Sequence, residues 1–224
     1  MSIPAWRQEL IQGARAFGLE LSESQQECFA CYLRELARWN KSYNLTRIVA
    51  PEVAVRAHFL DSFNYLPGLA DATRVLDLGS GPGFPGLPLA LVRPDTAFVL
   101  CESRGKKARF LEHLVRLCKL ENVRIEQLHL SRQNATTSGL GEFPAIVCRA
   151  VNLLRDVVPV AEKLLTPGGR LLFTEARPEP ERIARALAEE AWGLRLAELL
   201  PGRLPGRAPR LHLGIIIRDE RRGK

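Results

Sequence analysis

The sequence predicts an α/β protein of Rossmann-like architecture, with a seven-stranded, mostly parallel sheet behind an N-terminal helical extension. Two observations predict this fold class. From Thr73 onward, short apolar stretches alternate with helical segments, which is typical of a doubly wound parallel sheet. Before Thr73 the chain reads as helical. We therefore expect residues 1–70 to form the helical extension and residues 71–224 the main domain.

The extension carries recognisable helix-start signals. Ser22 and Gln25 have the spacing of a capping box, which predicts a helix that ends near Trp39. Pro51 suits the first turn of a second helix that runs toward Leu66. The stretch between these two helices is polar and rich in turn-forming residues, so we expect it to be a loop.

The main domain divides into strands and helices at apolar runs separated by turn residues. Most of the predicted strands are followed by a helical segment, as expected of parallel β-α-β units. The predicted strands are 74–78, 97–102, 123–128, 145–149, 170–175, 194–199 and 211–218, and the clearest helices are 106–117, 153–164 and 181–190.

A glycine-rich turn follows the first predicted strand. Asp77 lies at the end of that strand, and Gly79, Gly81 and Gly83 follow the strand closely. Glycine lets a backbone turn tightly and approach a ligand without a Cβ in the way. The second strand ends at Glu102, where a carboxylate can accept hydrogen bonds from both ribose hydroxyls of a nucleoside. Ligands of open α/β sheets bind beyond the carboxyl ends of the strands, so the sequence predicts a nucleoside site there.

Two details of the turn indicate which nucleoside binds. From Gly81 on, the glycines also match G-x-G-x-x-G, the dinucleotide motif. However, Pro82, Pro85 and Pro88 interrupt the helix start that a pyrophosphate would need, and Asp77 would repel a diphosphate. Asp77 suits the cationic methionine part of S-adenosylmethionine instead. These details favour a class I methyltransferase domain. A dinucleotide site and glycines that serve only as turn formers remain the alternatives.

The fourth predicted strand ends at Cys148 and Arg149, where the transferring methyl group lies in such folds. The Asn-Pro-Pro-aromatic motif expected of enzymes that methylate exocyclic amines is absent. Cys148 could act as the nucleophile of a pyrimidine-C5 enzyme, although it lacks the neighbouring proline, or it could pack in the sheet. Arg149 either reaches into the site or forms a structural ion pair.

Several sequence segments together match one known family. They are residues 40–46, 58–62, 77–86, 92–94, 105–111 and 149–150. Through them, from about residue 30 to residue 217, the chain resembles the bacterial glucose-inhibited division protein B family, the guanine-N7 methyltransferases of small-subunit (16S) ribosomal RNA. The first three segments are specific in combination, because residues 40–46 and 58–62 do not match general methyltransferase features.

The resemblance implies adenosylmethionine as the cofactor and a guanine of the small-subunit ribosomal RNA as the target. It points to Arg149 as the residue that orients the base, assisted by Asn44 or by Asp61 and Ser62. With Asp77 and the glycine turn, it gives a set of expected cofactor contacts. These are Asp77, Gly79, Gly81, Phe84, Glu102, Leu130, Ser131 and Arg149.

The distribution of charge suits a polyanionic partner, although a solvated surface and a basic tail would have the same composition. The net charge is +7, and residues 103–124 and 201–224 each carry seven basic and two acidic side chains. The expected RNA contacts are Lys41, Lys106, Lys107 and Arg210, and the partner is the ribosomal RNA or the assembling small subunit. We expect a cytoplasmic monomer without a membrane segment or a metal, because export and membrane signals are absent and the five cysteines are scattered.

The chain departs from the family pattern in a few places. The family has a lysine after the fifth strand where this chain has Glu175, and residues near His129, Ser131 and His212 also differ. Glu175 reverses the charge at a place expected to meet RNA. Two alternatives therefore stay open: a methyltransferase that acts on another RNA, a protein or a small molecule, and an inactive RNA- or ribosome-binding module.

Overall fold

The computed structural model describes residues 3–69, 71–190, 192–203 and 211–220 of the chain. Within these ranges a seven-stranded sheet has the order β3-β2-β1-β4-β5-β7-β6. The first five strands in this order are parallel, and β7 runs antiparallel to both of its neighbours. The strands are β1 (Arg74–Leu78), β2 (Ala97–Cys101), β3 (Val123–Glu126), β4 (Phe143–Cys148), β5 (Leu165–Glu175), β6 (Leu194–Pro201) and β7 (His212–Arg218).

All seven predicted strands are confirmed, with shifts at their ends. The largest shift is in β5, which begins at Leu165 rather than at residue 170. Leu165 pairs with Phe143 of β4, and the register between β4 and β5 shifts after this pair. The chain therefore joins the sheet before Gly168, which has a positive φ of 74°. From β1 the chain adds β2 and β3 on one side, and it then crosses to the other side of β1 to add β4. This change of direction opens a crevice between β1 and β4 at the carboxyl ends of the strands.

The helices surround the sheet and form the N-terminal extension. Two of the helical segments are π-helical, at Val55–Leu60 and at Leu153–Val157, so the predicted helix 153–164 is divided between a π segment and α8. No helix in the described part of the chain is both long enough and apolar enough to cross a membrane. The α-helices are α1 (Ala5–Arg15), α2 (Glu23–Tyr43), α3 (Pro51–Ala54), α4 (Asp61–Phe63), α5 (Leu66–Leu69), α6 (Gly86–Val92), α7 (Gly105–Leu117), α8 (Val158–Leu164) and α9 (Pro180–Glu189).

Helix α2 begins as predicted and ends later than predicted. The Ser22 hydroxyl accepts from the Gln25 N–H, and the Gln25 side chain accepts from the Ser22 N–H, which confirms the capping box. The helix runs to Tyr43 instead of ending near Trp39, so the expected loop is shorter. It ends at Asn44, whose φ of 48° is left-handed, a conformation that asparagine tolerates at helix ends.

Alternate residues of the strands face two different hydrophobic layers. Val75 and Leu100 face the layer that also contains Phe29, Phe59 and Phe63 of the extension. Residues of opposite parity, such as Leu76 and Ile146, face a second layer built with α8 and α9. The extension therefore shares one buried core with the sheet, and this core fixes its position beside the crevice.

Candidate functional site

A cavity of about 710 Å³ lies beyond the carboxyl ends of β1, β2 and β4. Its volume falls within the range of ~300–1,000 Å³ that is usual for small-ligand sites. The walls are the glycine turn, the end of β2, the loop after β3, the segment after β4 and part of the extension. Among the predicted cofactor contacts, Gly79, Gly81, Phe84, Glu102, Leu130 and Arg149 line it.

The glycine turn is shaped as a cradle for a ligand. The N–H groups of Gly79 and Ser80 donate to the Cys101 carbonyl, at 2.9 and 3.0 Å, which ties the turn to the end of β2. Gly79 and Gly81 have φ values of 76° and 59°, a region that favours glycine. A Cβ on Gly81 would meet no atom closer than 3.9 Å, so it would project into space that a ligand could fill.

Glu102 lies at the rim of the cradle with its carboxylate held in place. One carboxylate oxygen accepts from the Gly81 N–H at 2.8 Å, and the other accepts from the Arg104 N–H at 2.7 Å. Each oxygen keeps a further lone pair for an additional donor. The residue is 6% exposed and lines the cavity, so the pair of oxygens is oriented to accept from two neighbouring hydroxyls.

Asp77 supports the turn from behind and does not line the cavity, contrary to the direct contact we expected. Strand periodicity places its side chain on the same face as Val75, beneath the turn. It is fully buried, and its Oδ2 accepts from the Gly86 N–H at 2.9 Å, while Oδ1 has no hydrogen-bond partner. Burial raises the pKa of Asp77 from 3.8 to about 7.

Sequence reasoning missed an aromatic stack that joins the extension to the glycine turn. The Phe84 ring lies between His58 and Tyr32, with centroid distances of 4.2 and 5.3 Å and interplanar angles of 14° and 8°. The Tyr32 hydroxyl also donates to the Pro82 carbonyl at 2.6 Å. His58 belongs to one of the motif segments, but only the fold shows that its ring reaches Phe84 and lines the cavity.

His58 is neutral in this environment. It is buried, and this burial together with the nearby positive charge of Arg149 lowers its pKa from 6.5 to about 4. Its Nε2 lies 3.3 Å from the Thr46 hydroxyl, and its Nδ1 lies 3.1 Å from the Ala57 carbonyl. The imidazole therefore adds an uncharged polar wall to the cavity.

Arg149 both lines the cavity and forms an ion pair. Its Nη1 lies 3.1 Å from the Asp61 Oδ2, and its Nη2 donates to the Ala57 carbonyl at 2.6 Å. Asp61 is 2% exposed and does not line the cavity, so it acts on the site through Arg149. Arg149 therefore does both of the things that the sequence analysis allowed: it reaches into the site and it forms an ion pair.

Three further expectations concern residues near the cavity. Ser131 does not line it, because its N–H donates to the Asn134 side-chain oxygen at 2.8 Å and its hydroxyl also lies against that oxygen. Asn44 does not line it either, since the longer α2 leaves Asn44 exposed at the helix end. Cys148 is 2% exposed and burial raises its thiol pKa, so its environment argues against a nucleophilic role.

Three of the four expected RNA contacts lie in the described part of the chain, and one of them lines the cavity. Lys107 lines the cavity, and Lys106 Nζ lies 5.4 Å from the centroid of the Tyr43 ring. Lys41 is exposed on the last turn of α2. Arg210 lies outside the described residues.

The structure gives no indication of metal chemistry in the ranges it describes. No group of three histidine, cysteine, aspartate or glutamate side chains there could hold a metal ion. All five cysteines are free thiols. The C-x-x-C pair lies on α2, with Cys31 buried and Cys28 half-buried.

The fold of the chain is similar to solved methyltransferase structures. A ribosomal protein L11 methylase from Lactobacillus delbrueckii subsp. bulgaricus aligns with a TM-score of 0.54 and 18% identity, covering 71% of this chain and 79% of that one. A SAM-dependent methyltransferase from Aquifex aeolicus aligns with a TM-score of 0.53 and 17% identity, covering 74% of this chain and 92% of that one. These similarities confirm the predicted fold class.

Sequence comparisons are more specific. Proteins named ribosomal RNA small subunit methyltransferase G are 39% identical in Stenotrophomonas maltophilia, over 91% of each chain, and 36% identical in Xanthomonas campestris, over 93% of this chain and 96% of the relative. The family model described as "GidB: rRNA small subunit methyltransferase G" matches residues 25–192. The chain therefore belongs to the rRNA small subunit methyltransferase G family, as the motif resemblance predicts.

Proposed function

We propose that this protein transfers a methyl group from S-adenosylmethionine to N7 of a guanine in small-subunit ribosomal RNA. The observation that carries the proposal is the cavity beyond β1 and β2, where a glycine cradle and the Glu102 carboxylate meet in a chain of the rRNA small subunit methyltransferase G family. The family relationship supports the substrate class, and the cavity supports the cofactor.

The residues that line the cavity fit each part of adenosylmethionine. Gly79 and Gly81 would let the methionine part approach the backbone, and Glu102 would accept from the ribose hydroxyls. Leu130 and Phe84 would provide apolar surface for the remainder. When bound, the cofactor supplies an electrophilic methyl group on a positively charged sulfur. Asp77 would act indirectly, by holding the Gly86 end of the turn.

Guanine N7 needs no general base, because it carries an in-plane lone pair and no proton. That lone pair forms the new bond to carbon while the carbon–sulfur bond breaks, and the positive charge passes from sulfur to the base. The task of the protein is therefore alignment of the reacting atoms, which can lower the barrier by up to ~7–11 kcal/mol. Water exclusion by the buried Phe84 and His58 stack would help to keep this alignment.

The electrostatics around Arg149 suit a base that becomes positively charged. Asp61 partly neutralises the guanidinium at 3.1 Å, and His58 is uncharged at neutral pH because its pKa is about 4. Neither side chain therefore adds an uncompensated positive charge beside the product. Arg149 would donate to the O6 edge of the guanine or to the cofactor carboxylate, and both roles are positional.

The basic surface near the cavity mouth would hold the RNA. Lys107 lines the cavity, Lys106 is its exposed neighbour on α7, Lys41 is exposed on α2, and Arg210 is proposed from the sequence alone. We propose a cytoplasmic monomer whose substrate is the ribosomal RNA or an assembling small subunit, with residues 1–70 as the extension and 71–224 as the catalytic domain. Lysine phosphate contacts would position the RNA without reading its sequence.

Transfer of labelled methyl groups tests the proposal. The protein is incubated with labelled adenosylmethionine and small-subunit RNA, either free or in subunits, from cells that lack this methylation. We expect one labelled guanine, and strand cleavage chemistry specific for N7-methylguanine should locate it. Label in another base or in protein would contradict the N7 assignment, and no label despite cofactor binding would favour the inactive RNA-binding module.

A further inference from the structure

A second cavity, of about 340 Å³, lies beyond the carboxyl ends of β4 and β5. It shares Arg149, Ala150 and Val151 with the first cavity, so one short segment separates the two spaces. A methyl acceptor must meet the cofactor within near-attack distance, and this shared segment is where a molecule in the second cavity would come closest to the first. The second cavity is therefore placed to hold the acceptor.

The lining of the second cavity suits a flat, partly apolar ring with polar edges. Phe173, Leu154 and Ile183 provide apolar surface. Glu179 pairs with Arg182 at 3.4 Å, whereas Glu175 forms no ion pair with any residue in the described ranges. Glu175 is the last residue of β5 and is exposed, so its carboxylate is available to a ligand in this space.

Guanine carries the complementary donors on its far side. N7 and O6 lie on one edge of the base, while N1–H and the N2 amino group lie on the edge that faces away from N7. An ionised carboxylate only accepts hydrogen bonds, and its two oxygens match these two adjacent donors. Adenine has an acceptor at N1 and no amino group at C2, so a carboxylate there would disfavour it.

We propose that the second cavity is the pocket of the target guanine and that Glu175 selects the base by accepting from N1–H and the N2 amino group. This inference rests on the proposed function. With N7 directed at the first cavity, O6 lies toward Arg149 in the shared segment and the opposite edge lies toward Glu175.

Single-atom changes in the RNA test the inference. Once the methylated guanine is located, RNA is assembled with guanosine or inosine at that position; inosine keeps N7, O6 and N1–H but lacks the N2 amino group. The parent enzyme should methylate the guanosine RNA about ten times faster, at kcat/KM, because one charge-assisted hydrogen bond is lost. In Glu175→Gln, guanosine transfer should fall roughly tenfold to a hundredfold and the guanosine preference should shrink to near unity.

Glu181→Gln is the matched control, because Glu181 is an exposed carboxylate on α9 that does not line the cavity. It should keep the parent rates and the parent preference. Adenosylmethionine affinity, measured by calorimetry, should be unchanged in both variants, which also shows that they are folded. Glu175→Asp, which keeps the carboxylate, should retain part of the preference.

The possible failures are distinguishable. A parent enzyme that methylates neither RNA would overturn the proposed function and this inference with it. A parent enzyme that methylates guanosine RNA but shows no preference over inosine would overturn the inference alone. The same holds if Glu175→Gln retains the parent's guanosine-to-inosine ratio, because Glu175 would then be a surface residue without a part in base selection.

Discussion

Arg149, directly after β4, lies against Asp61 of α4, with 3.1 Å between Nη1 and Oδ2. The pair connects the end of β4 to a helix of the N-terminal part of the chain. Asp61 has 3% of its side chain exposed and Arg149 has 20%, so solvent screens the pair only weakly. Burial raises the pKa of Asp61, and the positive charge of Arg149 opposes that rise. Each charge therefore offsets part of the free-energy cost of burying the other.

Removing one partner should destabilise the fold. Arg149→Ala or Asp61→Ala should lower the free energy of unfolding by about 3 kcal/mol, because each leaves a largely buried charge without its partner. The double variant Arg149→Ala/Asp61→Ala should lose less than the sum of the single variants. Urea unfolding followed by circular dichroism measures all three. Strictly additive losses would mean that the two side chains are not energetically coupled.

The same arginine should also matter for methyl transfer. Arg149→Ala should slow single-turnover transfer by roughly tenfold to a few hundredfold, the effect of losing a charge-assisted positioning contact. Arg149→Lys should rescue little, since a point charge does not reproduce a planar fork. The double variant separates the two roles, because it removes the unpaired buried charge and should still be as slow as Arg149→Ala. Parental turnover in a folded Arg149→Ala protein would make this residue purely structural.

The glycine cradle gives a prediction about cofactor binding. Gly81→Val should abolish adenosylmethionine binding in calorimetry, because its side chain would occupy the ligand space and its φ of 59° is strained for a β-branched residue. Gly139→Val is a matched control, since Gly139 also has a positive φ, of 75°, and a Cβ there would meet no atom within 4 Å. It should keep cofactor affinity despite similar strain. Tight NAD binding by the parent, with no adenosylmethionine binding, would refute the cofactor assignment.

The sequence predicted the strands, the glycine turn and Glu102 because these depend on local patterns: apolar runs, glycines and strand ends. It could not predict the surroundings of Asp77, because both faces of β1 meet a buried layer and only the packed fold shows that Asp77 lies on the face shared with the extension. The stack of Tyr32 on Phe84 joins residues 52 positions apart, and only the packed extension brings them together. The position of Arg149 after a strand could be predicted from the sequence, but its partner could not, because Asp61 lies far away along the chain, on α4.

Asp77 should make stability depend on pH. Its pKa in the folded protein, about 7, is raised above the ordinary value of 3.8, so folding favours the protonated form. The contribution of protonated Asp77 to the free energy of unfolding is fully present below pH ~4 and is lost as the pH rises through ~7. Asp77→Asn never ionises and keeps an oxygen acceptor for the Gly86 N–H. Relative to the parent, this variant should therefore gain stability as the pH rises.

Unfolding free energies at several pH values between 4 and 8 measure this effect. The difference between Asp77→Asn and the parent should increase over that range by up to about 4 kcal/mol, since each unit of pKa shift corresponds to about 1.4 kcal/mol. Below pH 4 the difference should become constant. A difference that does not change with pH would show that Asp77 ionises normally in the folded protein.

The lysines near the cavity mouth should control the salt dependence of RNA binding. Each lysine that contacts a phosphate releases bound counterions, so the slope of log affinity against log salt should become shallower by about 0.7–0.9 per contact removed. Lys106→Ala and Lys107→Ala should each show this change, and the double variant should show about twice as much. Arg195→Ala is the control, because Arg195 pairs with Asp219 at the far edge of the sheet, on β6. Fluorescence anisotropy with a labelled RNA fragment, between low and physiological salt, measures the slopes. If the lysine variants lose affinity with an unchanged slope, their contribution is local packing, as the position of Lys106 over the Tyr43 ring would allow, and the RNA path lies elsewhere.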